Sequence, residues 1–122
     1  MTKAELKELY VSAPKVQEVV ERLKNHPQSH IALKKAIGSL ASFYAYGITQ
    51  NFPINHLFIL SDKEEAAYFL NDLEELVGEE KAIFFPGSYR KAYDVEKTDN
   101  ANIQMRAEAL NKINKKDGSY LI

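Results

Sequence analysis

A chain of 122 residues with 45% apolar and 27% charged side chains has the size and composition of one globular domain, which excludes a disordered or fibrous architecture. Sixteen basic side chains against seventeen acidic ones exclude a nucleic-acid binder that depends on a strong overall positive field. With no cysteine, disulfides, thiolate nucleophiles and sulfur-ligated zinc are excluded as well.

The chain starts on Met1-Thr2-Lys3-Ala4-Glu5, which is polar and lacks the apolar stretch of a secretion signal. No run approaches the roughly 20 apolar residues of a membrane span, so a cytoplasmic protein that does not engage a membrane is expected. Thr2 and Glu5 have capping-box spacing and predict a short helix to about Tyr10. Pro14 follows Ser12 and Ala13, and Val16, Val19, Val20 and Leu23 recur at helical spacing, so a second amphipathic helix is predicted. His26-Pro27 should stop it, because the residue before a proline is driven out of the helical region.

Ile31-Ala32-Leu33 reads as a short strand over 31–34, followed by a turn from Lys34 to Gly38 and a helix from Ser39 to Tyr46, with Gly47 near its C-terminus. His56-Leu57-Phe58-Ile59-Leu60 predicts a strand over 56–61. Asp62 and Glu65 then form a second capping box. Ala66, Phe69, Leu70, Leu73 and Val77 make the apolar stripe of a helix that ends at Gly78. Lys81 to Phe85 predicts a strand stopped by Pro86-Gly87, a polar loop runs to about Asp99, and Ala101 to Lys115 predicts a last helix. Tyr120-Leu121-Ile122 reads as the opening of another strand, from which a longer protein is expected.

Strands alternating with helices imply an α/β three-layer sandwich with a mostly parallel sheet. The division expected is a helical extension over 1–28 and an α/β domain over 29–122, the extension packing on the sheet edge.

In nucleotide hydrolases of that class a strand leads into Gly-x-x-x-x-Gly-Lys-Ser/Thr, whose amides cradle phosphates while the lysine and hydroxyl handle phosphate and magnesium. The matching place is Lys35-Ala36-Ile37-Gly38-Ser39-Leu40-Ala41-Ser42, where Lys35 stands for the first glycine, Leu40 for the second and Ala41 for the lysine. Leu40 resists positive φ, and Ala41 has no ammonium. The loop is therefore a degenerate remnant, Gly38, Ser39 and Ser42, and no bound cofactor or catalytic residue is expected. Asp72-Leu73-Glu74-Glu75 is the nearest string to a magnesium-holding acidic motif, but it falls inside the predicted helix and reads as a solvated face.

Lys34 to Ser39, His56 to Asp62, Ile83 to Pro86, Tyr93-Asp94 and Met105 to Leu110, taken in this order and spacing, resemble the start of bacterial transcription-repair coupling factors. The similarity covers roughly 30–122. It implies domain 1a of a module similar to the excision-repair protein UvrB, helicase-like with a decayed phosphate loop. The implied whole protein is an ATP-dependent DNA translocase that displaces stalled RNA polymerase and recruits UvrA in nucleotide-excision repair. Its motor lies elsewhere, so the resemblance implies a non-catalytic scaffold here, whose partners are other domains of the same protein and, in the full-length protein, UvrA, RNA polymerase and double-stranded DNA. Two other readings stand beside it: a free-standing α/β protein-interaction domain with a flavodoxin-like sheet, and a small nucleotide-binding enzyme using a non-standard loop at Gly38.

Tyr89, Arg90, Lys91 and Tyr93 interleave aromatics with cations after a strand and form the candidate contact surface for a neighbouring domain or DNA. His26, His30 and His56 lack carboxylate partners at metal-binding spacing, and no serine sits in a nucleophile elbow. No metal site is expected, since Asp94, Glu96 and Asp99 lack the glycine and terminal glutamate of a calcium loop. Arg106 is expected to form an ion pair with a neighbouring helix or domain.

Overall fold

A computed structural model describes residues 1–87, 100–115 and 120–122. Five helices run in chain order: α1 (Lys3–Val11), α2 (Pro14–Asn25), α3 (Leu40–Asn51), α4 (Lys63–Val77) and α5 (Asn100–Asn114). Their ends follow the local chemistry. Thr2 and Glu5 close the capping box on α1, Pro14 starts α2, and His26, held before Pro27 at φ −135°, ends it. Asp62 accepts the Glu65 amide at 2.8 Å at the start of α4. The Glu65 carboxylate, however, turns to the Ser61 amide and hydroxyl rather than completing a box with Asp62.

The expected α/β sandwich is not what forms. Among the described residues the chain is helical, with no named strand and no sheet. The expected strand over 31–34 is irregular. The segments over 56–60 and 82–85 form no named strand and meet the C-terminal segment through isolated parallel bridges, His56 to Leu121 and Ala82 to Leu121. Backbone bonds at those places run from His56 N to Tyr120 O at 2.9 Å, Phe58 N to Ile122 O at 2.7 Å and Ile83 N to Leu121 O at 2.7 Å. The physical reason is pairing: each neighbour meets the C-terminal segment at the single residue Leu121, and one bridge on each side does not repeat into a ladder.

The expected placement of the first two helices on a sheet edge is corrected too, because α1 and α2 both pack on α3, and α3 packs on α4. Gly47 is the reason this is possible. It lies inside α3 rather than at its end, and a Cβ there would meet the Tyr10 carbonyl oxygen at 2.6 Å and both Val16 methyls at 3.1 Å. The missing side chain lets the α1–α2 corner sit directly on the helix. Tyr10 stacks on Phe43 at 4.7 Å and meets Tyr44 edge-on at 6.0 Å. The helix continues to Asn51, whose side-chain amide donates to the Gly47 and Val11 carbonyls, and stops at Phe52, before Pro53.

Among the described residues, Val16 and Val20 are the buried side chains of α2, which packs on α3, and mark one apolar contact. Ala45, Leu73, Ala82 and Leu121 form another, with Phe58, Phe69, Leu70 and Val77 against them. Lys7 on α1 donates to the Leu76 carbonyl near the end of α4 at 2.6 Å, placing a cation at a negative helix pole.

Lys3 and Glu75 form an exposed ion pair at 2.6 Å. The hydrogen bond from the Lys3 ammonium, and then its charge, hold the Glu75 carboxyl below its ordinary range. A carboxyl depressed in the folded state contributes stability above its unfolded pKa and loses it as pH falls through the lower folded value. Exposure screens the pair, so its contribution is small. Lys3→Ala is expected to return the Glu75 carboxyl titration, followed by NMR, toward the ordinary value, with the melting midpoint at neutral pH nearly unchanged.

Candidate functional site

The turn leading into α3 is where the sequence places its remnant phosphate loop. Two residues there have left-handed backbone, Lys35 at φ 66° and Gly38 at φ 59°. Gly38 suits that conformation, and an added Cβ would meet nothing within 4 Å, so its role is in the turn and not in a close approach. Ser39 is the N-cap residue of α3 but makes no side-chain capping bond.

Ser42 separates most sharply from a phosphate loop. It occupies the position at which such a loop presents its magnesium-binding hydroxyl, yet it is 1% exposed and donates to Asp72 Oδ2 at 2.9 Å. Its hydroxyl is consumed in joining α3 to α4. The turn thus brings Gly38 and Ser39 to the surface while taking Ser42 inside.

The acidic string is accounted for in the same way. Asp72 accepts from Ser42, Leu73 is in the core and Glu75 pairs with Lys3. His56 Nε2 lies 2.8 Å from the Phe52 carbonyl, while His26 and His30 are exposed. Among the described residues no cluster of three or more histidine, aspartate or glutamate side chains could hold a metal ion. Arg106 lies over the Phe85 ring, 4.8 Å from its centroid, and so ties α5 to the segment over 82–85. Tyr89, Arg90, Lys91 and Tyr93, with Asp94, Glu96 and Asp99, lie outside the described residues.

A feature that sequence reasoning missed is an open apolar cleft of about 610 Å³ between the segment over 57–61, α4 and the segment over 83–87. Phe58, Phe69, Leu70, Leu73, Ile83 and Phe85 supply its apolar walls, and Asp62 and Asn102 its polar rim. The volume falls in the range of small-molecule sites. The available signal was the uninterrupted apolar run Leu57-Phe58-Ile59-Leu60, which predicts a strand but does not say which of its faces is covered. In the structure Leu57 and Ile59 are 68% and 86% exposed, whereas Phe58 and Leu60 turn inward.

Comparison of the chain with protein-family models, with curated proteins and with solved structures finds no match. No helix, among the described residues, is long and apolar enough to cross a membrane.

Proposed function

We propose that this chain is a non-catalytic scaffold element of a transcription-repair coupling factor in the cytoplasm. Its role there is to position neighbouring domains of the same protein, which as a whole translocates on double-stranded DNA, displaces stalled RNA polymerase and recruits UvrA. The reading rests on the residues and not on the fold first expected for them. The observation that carries its non-catalytic part is Ser42. A hydroxyl that is 1% exposed and bonded to a carboxylate of the next helix is not available to a nucleotide-bound magnesium ion.

Several of the segments that carry the resemblance are also close in space. Residues 57–62 and 83–86 line one cleft, and Arg106, within the motif on α5, lies over Phe85 at its wall. A scaffold element is expected to use such apolar surface for protein contacts, not for turnover.

Calorimetric titration with ATP and magnesium, and with a non-hydrolysable analogue, tests the reading. No saturable heat is expected up to millimolar nucleotide. Saturable binding that Gly38→Val abolishes would overturn the proposal and make the small nucleotide-binding enzyme the better reading.

A further inference from the structure

α4 ends in a concentration of negative charge. Glu74 and Glu75 lie in its last turn, Glu79 and Glu80 follow it, and no basic residue stands in that turn. Carboxylates at the negative pole of a helix are opposed by its dipole. The balancing cations come from another element. Lys3 on α1 pairs with Glu75 at 2.6 Å. The Lys7 ammonium donates to the Leu76 carbonyl at 2.6 Å and stands 5.7 Å from the centroid of the Tyr46 ring.

The two ends of α1 are held in different ways. At its C-terminal end the Val11 carbonyl accepts the Gln17 side-chain amide at 2.7 Å and that of Asn51 at 2.9 Å. Tyr10 stacks there on Phe43, and its carbonyl lies against Gly47. At the N-terminal end Leu6 and Lys7 are half-buried, while residues 1–5 and Glu8 are exposed. No side chain of α1 is buried, whereas α2 carries Val16 and Val20 at 1% and 3% exposure. Little apolar area opposes the release of residues 2–8, and charge contacts hold them. A helix of nine residues has little stability of its own, so these turns unwind once they are released.

We infer that the first two turns of α1 are an ionic latch on the C-terminal end of α4, one that opens without unfolding the rest of the chain. Opening bares Tyr46 and the Leu76 carbonyl and leaves the α1–α2 corner seated on α3. Closure depends on Lys3 and Lys7 meeting negative charge that α4 does not balance itself. Added salt screens exposed pairs and helix-pole interactions alike, so it favours the open form.

The test is native-state amide exchange of the whole chain, with Lys7, Glu8 and Leu9 on α1 compared with Val19 and Val20 on α2. The α1 amides are expected to exchange faster and to speed up relative to α2 as sodium chloride is added. Their exchange responds weakly to sub-denaturing urea, because a local opening exposes little surface. Lys7→Met removes the ammonium and keeps an unbranched side chain; it is expected to raise α1 exchange by about three- to tenfold, with α2 unchanged and most of the salt response lost. Lys7→Arg, which keeps the charge, stays near the unsubstituted rate. The salt series on the unsubstituted chain reads the latch independently of whether Lys7→Met folds. Equal exchange in α1 and α2, with the same urea dependence, overturns the inference, since the two helices would then open only with the whole chain. Exchange of α1 that ignores added salt also overturns it, because something other than charge would hold the helix. A Lys7→Met chain in which α1 and α2 accelerate by one common factor does the same.

Discussion

Gly47→Ala is expected to destabilise the chain by about 2–3 kcal/mol, although alanine is the better helix former by about 1 kcal/mol. The two effects oppose each other, and geometry decides between them. The new Cβ would lie 2.6 Å from the Tyr10 carbonyl oxygen, a separation real Cβ atoms essentially never show, and 3.1 Å from both γ-methyls of Val16. A flexible side-chain tip could turn away, but the nearest atom is backbone at the end of α1. Relief requires moving the whole α1–α2 corner, and with it the Tyr10–Phe43 stack and the Asn51 bond to Val11. The check is urea unfolding followed by helical circular dichroism, with the midpoint falling and the slope unchanged. A wild-type midpoint for Gly47→Ala would show that the corner does not sit on α3 as described. Gly38→Ala is the matched control, since nothing lies within 4 Å of its added Cβ and its cost is only that of left-handed backbone.

That glycine also shows what the sequence could and could not tell. The helix boundaries were legible because they are set by neighbours in the chain: Thr2 with Glu5, Pro14, His26 before Pro27, Asp62 and Gly78. Gly47 read as a helix end because glycine commonly stands there. Its actual reason is a contact with Tyr10 and Val16, more than thirty residues away, which no local pattern encodes. The expected sheet failed for a related reason. Apolar runs at 31–33, 57–60 and 82–85 have strand-like composition, but pairing depends on what lies alongside, and Leu121 is the residue through which the two bridges form. With no strand beside it among the described residues, Ile31 to Leu33 is irregular and Leu33 remains 45% exposed.

At the candidate site the sequence has Leu40 and Ala41 where a phosphate loop would need glycine and lysine, and that much is legible in the residues alone. The fate of Ser42 is not. Its acceptor, Asp72, stands thirty residues further along and read only as part of a solvated acidic face. The cleft was hidden by the ambiguity of a continuous apolar run, which has the same letters whether it is buried on two faces or on one.

Leu73→Ala is expected to cost about 2–4 kcal/mol, the second large effect, and its distribution along the chain is as informative as its size. Leu73 is 3% exposed and packs with Ala45, Ala82 and Leu121, so it joins α3, α4 and the two bridged segments in a single group. It also lines the open cleft, which means that the space left by truncation connects with solvent and can be wetted or closed by its neighbours. That relief places the cost below the roughly 5 kcal/mol of a sealed cavity. Leu73→Met, which conserves volume and can turn its thioether into the cleft, is expected to cost less than about 1.5 kcal/mol. Amide exchange distinguishes local from global loss. Ile83 and Leu121, whose amides donate to Leu121 and Lys81 across the bridges, should lose protection in Leu73→Ala well before amides in the middle of α2, which Val16 and Val20 hold against α3. Equal loss at both places would instead make the whole chain one cooperative unit, with the bridges as tightly coupled to the α1–α2 corner as to the leucine that supports them.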